Sequence, residues 1–279
     1  MNSSFTPNLY TVHAGQAGTL GSPEIWSEAR RRFVSASGGQ CAREVGDMFL
    51  NFGDAVVGAK TDTNGYHSYG DTGGTIKQRT DAAGGIALVT GGTDNFEQAL
   101  GSPGAIGRIS TTAGQEGIML FEASLELASI ADTQAQVFVG LVGPAFAGVA
   151  DFIVDGGATF AATAPHIGFY VEDSDGDMLT FVYGEASETH VSIDLTGVTL
   201  AAATELKVGF ICAPQAPAAK RLTIVVNNIV QPTALTSAQI EAAAFPDGTW
   251  LSFNTAIKTG AAAAKTLKLN WWNFYNDAS

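Results

Sequence analysis

Alternation of apolar and polar side chains is the main pattern along most of the chain, and it is clearest in the segment GIMLFEASLEL. Phe121, Ala123 and Leu125 fall on one side of an extended chain there, whereas Glu122 and Ser124 fall on the other. This period of two is typical of a half-buried antiparallel strand. The same reasoning predicts strands within GGIALVTGG and at Gln136–Val142, His166–Glu172, Met178–Tyr183, Thr189–Leu195, Glu205–Ile211, Arg221–Asn227, Trp250–Thr255 and Thr266–Phe274.

Turn-forming sequences separate the predicted strands. Clusters of turn residues occur at Glu172–Asp177, Ala213–Lys220, Phe245–Gly248 and Thr259–Lys265, and such clusters between apolar runs mark chain reversals. A short helical pattern is present at Ser237–Ala244, but the helical crossovers that a parallel sheet needs are missing. Many short strands at this spacing predict an all-β, antiparallel sandwich or barrel.

The last predicted strand, TLKLNWWNFYN, is apolar on both faces. Leu269 and Trp271 lie on one face, and Trp272 and Phe274 lie on the other. Such a strand is central in its sheet or is covered on its outer side. We expect that cover to come from residues 1–60 or from a neighbouring subunit.

The N-terminal part of the chain follows different patterns. Ser22 supplies a capping hydroxyl and Pro23 a favourable first helical residue, which predicts a short helix ending near Ser35. The next stretch is dense in Gly, Asp, Asn and Thr, which is typical of a long loop. The sequence therefore predicts an N-terminal arm with a short helix at residues 1–60, a glycine-rich loop or extension at 61–84 and a β-sandwich at 85–279.

Charge and composition exclude several classes of function. The 279 residues include 14 basic and 27 acidic side chains, a formal net charge of −13, so we expect no nucleic-acid partner, because such binding needs Lys and Arg to neutralise phosphates. The chain begins without a signal-peptide pattern and has no apolar run of membrane-spanning length, so we expect a soluble protein with no membrane partner. Cys41 and Cys212 are far apart and predict buried free thiols in a reducing compartment.

Glu122 and Glu126 are the strongest catalytic candidates, because strand alternation places both carboxylates and Ser124 on one polar face. Sandwich-fold glycanases of the laminarinase type use an acid, Asp, acid series at this spacing, with one carboxylate as nucleophile and one as general acid. Ser124 stands where the middle Asp would be, which removes the side chain that would tune the pair. A solvated strand face explains the series better, and we expect no catalytic residues.

The acidic turn at Asp173, Asp175 and Asp177 has the hard oxygen ligands of a calcium loop around Gly176. The downstream bidentate Glu of an EF-hand loop is missing, and a hairpin turn explains the same residues equally well. We expect neither a bound metal nor a cofactor. The histidines show no spacing typical of a metal site and are predicted to be surface or loop side chains: His13, His67, His166 and His190.

Aromatic side chains give the sequence one further kind of candidate site. Tyr66, Tyr69, Trp250 and Trp272 could stack on sugar rings if they were exposed. Core packing is the simpler prediction for both tryptophans.

Several strand motifs, taken in their order along the chain, resemble those of one family. They are FEASLELASIADTQAQVFVGLVG, HIGFYVEDSDGDMLTFVYG, TELKVGFICA, RLTIVVNN, FPDG and KTLKLNWWNFYN, and the resemblance covers roughly residues 85–275. They are similar to motifs of tailed-bacteriophage structural virion proteins that carry a concanavalin A-like, lectin or laminin-G type, jelly-roll domain. The resemblance implies an antiparallel jelly-roll β-sandwich. Asn228 stands where glycine is common in that family, and Asn tolerates the left-handed conformation.

The resemblance implies a capsid-associated role without enzymatic activity. We expect a decoration, or cement, protein on the outer capsid surface of the virion, synthesised in the host bacterial cytoplasm. Its partners would be the major capsid protein and neighbouring copies of itself, as a dimer or trimer. The alternative is a carbohydrate-binding, lectin-like module of a head or tail fibre that binds surface glycans during host attachment. The candidate capsid contacts lie in the predicted arm, where the arginines favour a helix end: Ile25, Trp26, Arg30, Arg31, Arg32 and Phe33.

Overall fold

The computed structural model describes residues 42–47, 55–56, 61–63, 66–80, 84–112, 117–131, 134–148, 151–154, 160–214, 216, 221–232, 235 and 237–277. Within these ranges the chain is built almost entirely of strands. The elements are β1 (Ala42–Asp47), β2 (Ala55–Val56), β3 (Thr61–Thr63), β4 (Tyr66–Gly70), β5 (Thr75–Gln78), β6 (Ile86–Val89), β7 (Glu97–Gly101), β8 (Gly107–Arg108), β9 (Met119–Leu127), β10 (Ala135–Val142), β11 (His166–Glu172), β12 (Asp175–Gly184), β13 (Val191–Asp194), β14 (Glu205–Cys212), β15 (Leu222–Val226), β16 (Ile229–Val230), α1 (Ser237–Ile240), β17 (Trp250–Thr259) and β18 (Thr266–Asp277).

The described strands form two sheets of nine strands each. In the first sheet the order is β16-β15-β14-β9-β18-β6-β5-β2, and β1 also pairs with β18. In the second sheet the order is β13-β12-β11-β10-β17-β7-β4-β3, and β8 also pairs with β17. The pairings between these strands are antiparallel. The all-β antiparallel sandwich predicted from the alternation is therefore confirmed.

The strands predicted for the C-terminal part of the chain are all present, with shifts of a few residues at their ends. The helical pattern at Ser237–Ala244 gives only the short α1. Alternation did not reveal β7, because every one of its side chains is buried, and β8 is too short to show a pattern. Across the part of the chain that the structure describes, no helix has both the length and the apolar character needed to cross a membrane.

Residues 61–84 are not the loop that their composition predicts, because they contain β3, β4 and β5. The physical reason is burial at alternate positions: Tyr66 and Ser68 of β4 and Ile76 of β5 all lie in the interior. The predicted arm also contributes β1 and β2 to the first sheet. The predicted helix from Ser22 lies outside the described residues, as do the candidate capsid contacts Ile25, Trp26, Arg30, Arg31, Arg32 and Phe33.

A run of aromatic contacts joins the two sheets through the main core. The rings of Phe253 on β17 and Trp272 on β18 are stacked with centroids 4.2 Å apart. The indole N–H of Trp272 donates a hydrogen bond to the hydroxyl of Tyr66 at 3.0 Å. Phe121 contacts both Phe253 and Phe210. Trp272 therefore packs in the core as predicted, and its one polar atom has a partner there.

A second apolar layer covers the outer face of the second sheet. Phe138 of β10 and Tyr170 of β11 project from that face into a cluster with Phe152 and Phe160, which lie in the connection between these two strands. The rings of Phe138 and Phe152 meet edge to face at 4.8 Å. The middle of the second sheet is consequently buried on both sides, which accounts for the continuous apolar runs within β10 and β11.

Two glycines allow this connection to lie close against the second sheet. A Cβ atom on Gly101 would lie 2.3 Å from the carbonyl carbon of Ala147, a separation that no packed side chain adopts. Gly148 has a φ of +61°, and its N–H donates to Oδ1 of Asn254 at 2.9 Å. Glycine is required at both positions, at the first for space and at the second also for backbone conformation.

His166 is buried in the same layer, so the prediction of a surface or loop imidazole is wrong for this residue. Its Nδ1–H donates to the carbonyl oxygen of Ala164 at 2.8 Å, and its ring contacts Phe160 at 4.5 Å. Burial lowers the pKa of His166 from its ordinary value of 6.5 to about 4, assisted by the positive charge that His190 can carry. The imidazole is thus held in its neutral form.

The hairpin between β15 and β16 turns on two asparagines. Val226 pairs with Ile229, which leaves Asn227 and Asn228 as the loop. Their φ angles are +49° and +66°, as a two-residue hairpin turn with both central residues left-handed requires. Asn228 therefore adopts the conformation for which glycine was expected, as its tolerance of that region allows.

We predict that Phe253→Ala lowers the free energy of unfolding by about 4 kcal/mol, because it removes a ring from the centre of the aromatic core and leaves a cavity. Trp250→Ala is the matched control on the same strand. Its side chain is exposed, so its loss should cost less than about 1 kcal/mol. Urea unfolding followed by fluorescence measures both, and equal destabilisation would contradict the assignment of Phe253 to the core.

We predict that His166 makes the protein acid-sensitive between pH 6.5 and about 4. The folded-state pKa is lowered, so the unfolded chain takes up a proton in this range while the folded chain does not, and stability falls as the pH falls. The total loss is about 3 kcal/mol, from the difference between the two pKa values. His166→Asn keeps a donor for Ala164 but cannot titrate, so urea unfolding at several pH values should show a flatter dependence in this variant.

Candidate functional sites on the outer sheet faces

The acidic series of β9 lies on the outer face of the first sheet, but it is not a solvated face. Glu122 is only 1% exposed and Ser124 is fully buried. The hydroxyl of Ser124 donates to Oε1 of Glu205 at 2.7 Å and accepts a hydrogen bond from Nδ2 of Asn270 at 2.9 Å. The prediction that these side chains are solvated is therefore wrong for Glu122 and Ser124, and β14 and β18 supply the hydrogen-bond partners of Ser124.

Glu126, at the end of the series, lies between two cations. Lys268 donates to its Oε1, and Nη2 of Arg79 lies 3.8 Å from its Oε2. Arg79 also donates to the side-chain oxygen of Asn270, which links Glu126 to the hydrogen bonds of Ser124. A retaining or inverting glycosidase presents two carboxylates to a bound sugar, whereas Glu126 here is engaged in ion pairs within a network across β9, β14 and β18.

The acidic turn is a tight hairpin between β11 and β12. Glu172 pairs with Asp175, which leaves Asp173 and Ser174 as the loop, and the hydroxyl of Ser174 donates to Oε1 of Glu172 at 2.8 Å. Asp175 and Asp177 are exposed. Among the residues that the structure describes, no three His, Cys, Asp or Glu side chains lie close enough together to hold a metal ion.

The aromatic sugar-stacking candidates separate into two groups. Trp272 and Tyr66 are buried in the core, and Tyr69 is half-buried beside Asp71, where burial and then the charge of that carboxylate raise the pKa of its phenol. Trp250 is 51% exposed, so its predicted core packing is wrong. The guanidinium of Arg108 lies 5.4 Å from the centre of its ring, which holds the indole by a cation–π contact.

A cluster of buried charges on the second sheet was not found from the sequence. Glu97 of β7 and Lys258 of β17 are register neighbours, and both side chains are buried. Nζ of Lys258 donates to Oδ1 of Asp151 at 3.0 Å and to the carbonyl oxygen of Ile153 at 2.6 Å. The two strands therefore present a carboxyl group and an amine to the connection that crosses above them.

Glu97 holds that connection through its backbone. The N–H of Phe152 donates to Oε1 at 3.2 Å, and the N–H of Ile153 donates to Oε2 at 2.9 Å. Burial raises the pKa of Glu97 well above its usual range, and a hydrogen bond between its carboxyl and that of Asp151 raises it further. The carboxyl group therefore keeps its proton to a higher pH than an exposed glutamic acid.

Cys212 is a free, buried thiol, as predicted, while Cys41 lies outside the described residues. Burial, with a contribution from Asp247, raises the pKa of the Cys212 thiol to about 12. The reactive thiolate is thus disfavoured.

Solved structures with a similar fold are known, although sequence comparisons find no relative of this chain. No protein-family model and no curated protein sequence matches the chain. Among solved structures, a protein of unknown function from Shewanella oneidensis MR-1 is similar over 95% of this chain and 98% of its own, with 13% identity and a TM-score of 0.51. The winged bean acidic lectin, complexed with methyl-α-D-galactose, is similar over 86% of this chain and 100% of its own, with 10% identity and a TM-score of 0.53.

The similarity extends to an enzyme of the same architecture. The GH16 protein of the Bacteroides ovatus mixed-linkage glucan PUL, in complex with its G4G4G3G product, is similar over 82% of this chain and 98% of its own. Its identity to this chain is 10%, and the TM-score is 0.50. At these identities the likeness concerns the fold, which supports many unrelated functions. The described strands of this chain form a concanavalin A-like jelly-roll β-sandwich of the kind found in the legume lectins.

Proposed function

We propose that the protein is a non-enzymatic structural component of a tailed-phage virion, a decoration protein that lies on the outer capsid surface. The sandwich supplies the body of the protein, and residues 1–41 supply the contact with the major capsid protein. Three features support this proposal. The first is the pairing of β1 with the first sheet, the second is the burial of Glu122 together with the ion pairing of Glu126, and the third is the net negative charge of the chain.

The observation that carries the proposal is the pairing of β1 with β18. Ala42 lies opposite Asp277 and Asp47 lies opposite Trp272, so backbone hydrogen bonds tie residues 42–47 of the predicted arm to a strand that also pairs with β9 and β6. Residues 1–41 immediately precede this strand. A segment tethered in this way transmits a contact made by the arm directly to the middle of the first sheet.

The acidic series supports a structural role over an enzymatic one. In glycosidases two carboxylates flank the scissile bond, and one of them must release and regain a proton. Glu122 is buried, and Glu126 is paired with Lys268 and Arg79. This arrangement stabilises the sheet face, and it offers a sugar ring no exposed carboxylate pair.

The charge of the chain fits a position outside the shell. A net charge of −13 keeps the protein away from the packaged genome, while Arg30, Arg31 and Arg32 give the arm a local positive patch. We expect this patch to contact acidic groups on the capsid surface, and Trp26 and Phe33 to bury apolar area beside it.

We predict that the full-length protein co-sediments with empty heads of its phage at a fixed copy number and raises the temperature at which the heads rupture. A variant lacking residues 1–41 but retaining β1 should bind at least about tenfold more weakly, a loss of about 1.4 kcal/mol. The triple change Arg30→Glu, Arg31→Glu and Arg32→Glu tests the patch in the intact chain. Trp250→Ala is the control, because this side chain lies on the sandwich and should leave head binding unchanged.

Two results would count against this role. Full occupancy of heads by the variant lacking residues 1–41 would contradict the contribution of the arm. Failure of the full-length protein to bind heads at all would contradict decoration itself and would shift attention to the sandwich surface.

Glycan binding by a fibre-type module is the second candidate function, and exposed Trp250 favours it. Large aromatic rings at a surface bind the apolar face of sugars, and their polar edge remains hydrated. Beside this ring, Arg108 offers a planar donor group, and Glu185 accepts a hydrogen bond from the hydroxyl of Thr249 at 2.8 Å. Two lectins with this fold are complexed with methyl-α-D-galactose and with galactose in their solved structures, which is a property of those two lectins.

We predict, for this second function, a specific signal on a glycan array that Trp250→Ala reduces at least tenfold, about 1.4 kcal/mol of binding free energy. Ile229→Ala is the matched control, because Ile229 is also an exposed apolar side chain but lies on β16 of the other sheet. An array without any specific signal, together with head binding by the full-length protein, would leave decoration as the function.

A further inference from the structure

The buried charge cluster of the second sheet has the geometry of a reaction site within the protein itself. The side chain of Lys258 is only 2% exposed, and its Nζ lies 3.0 Å and 3.3 Å from the two carboxylate oxygens of Asp151. Because Nζ lies against both oxygens, it is also close to Cγ, the atom that it would attack, and holding the amine beside this carbon raises their effective concentration. An amine and a carboxyl group in this arrangement have the components of an amide bond.

Glu97 supplies the third group that amide formation needs. Burial raises the pKa of its carboxyl well above the usual range, and a hydrogen bond to the carboxyl of Asp151 raises that pKa further. The backbone N–H groups of Phe152 and Ile153 fix both of its oxygens. A buried, protonated carboxyl beside the electrophile is placed to give and receive protons during the reaction.

The surroundings favour a neutral condensation over a permanent ion pair. Ala99, two residues after Glu97, and Ala256, two residues before Lys258, lie on the same face of their strands and belong to the apolar layer with Phe152. The buried ammonium of Lys258 carries a desolvation penalty in such a layer, and an amide bond removes its charge together with that of Asp151. The side chain of Asp151 is 55% exposed, which gives a released water molecule a path to solvent.

We propose that Lys258 and Asp151 join through an intramolecular isopeptide bond, with Glu97 as the catalytic acid and base. The bond would connect β17 to the segment that covers the second sheet, across 107 positions of the sequence. It does not depend on the virion role, although a covalent clamp suits a protein exposed on a particle surface.

The chemical balance needs no external reagent. A proton moves from the Lys258 ammonium to the Asp151 carboxylate, which leaves an amine and a carboxylic acid. Nζ attacks Cγ of Asp151, and Glu97 receives the proton that Nζ releases while it donates its own proton to the departing hydroxyl. The Cγ–O bond breaks, one water molecule leaves, and Glu97 ends in the protonated state in which it began. No group is oxidised or reduced.

Intact mass spectrometry of the denatured full-length chain tests this inference. We expect a mass below the sequence mass by one water molecule, and after proteolysis a branched peptide that joins the sequences around Asp151 and Lys258. Lys258→Arg keeps the positive charge but offers no amine nucleophile, so its mass should be unreduced. A folded wild-type chain with the full sequence mass would overturn the proposal.

Lys258→Arg and a second variant, Asp151→Asn, separate the isopeptide bond from other losses of water. An aspartate can also lose water by closing onto its own backbone, and a mass loss that persists in Lys258→Arg would indicate that reaction and overturn the bond. Asp151→Asn should form the same bond by releasing ammonia, so that its product has the same mass as the bonded wild type. A folded Asp151→Asn chain that keeps its full mass would count against the proposal.

The role of Glu97 has its own readout. Glu97→Gln keeps the size of the side chain and leaves Lys258 and Asp151 in place, but it cannot exchange protons. The rate at which the bonded mass appears after refolding should fall about 100-fold or more, as the loss of a general acid and base predicts. Circular dichroism checks that the variant folds, and bond formation at the wild-type rate would contradict the assignment of Glu97.

Discussion

Burial of the second sheet on both faces is the constraint on which the rest of the structure depends. One face packs on the first sheet through the aromatic core, and the other is covered by the connection between β10 and β11. Any polar side chain of a central strand then needs a partner within the protein. Glu97 and Lys258 satisfy this need through Asp151 and the backbone of the covering segment. The same constraint thus produces both the outer layer and the charge cluster within it.

Much of the fold follows from local patterns in the sequence. Alternation located β9 and most later strands, and the apolar character of both faces of β18 indicated a central position that its pairing with β9, β6 and β1 explains. The prediction from composition was wrong between residues 61 and 84, where the content of Gly, Thr and Asp indicated a loop and the structure has β3, β4 and β5. Short strands such as β4 and β5 are held by long-range pairing and by burial of side chains such as Ile76, and neither is visible in local composition.

The candidate sites show where sequence reasoning ends. Strand periodicity placed Glu122, Ser124 and Glu126 on one face correctly, but it could not show that the partners on that face come from β14 and β18. The cluster of Glu97, Asp151 and Lys258 could not be predicted from local patterns for the same reason, because Asp151 and Lys258 are 107 positions apart in the sequence. The local signal was a single charged residue in each of two segments that otherwise carry no charge, NFEQALG and NTAIKTG.

The antiparallel pairing of β1 with β18 also determines how the protein would respond to force. Ala42 lies opposite Asp277, so the start of one strand and the end of the other meet at the same end of the ladder. A pull between the segment before β1 and the C-terminus would open the hydrogen bonds one after another, at low force. A pull on the arm against a sandwich held at its opposite end would load the same bonds together in shear, which resists far larger forces. The direction of pulling would therefore decide whether the β1–β18 pairing opens one hydrogen bond at a time at low force or resists a high force in shear.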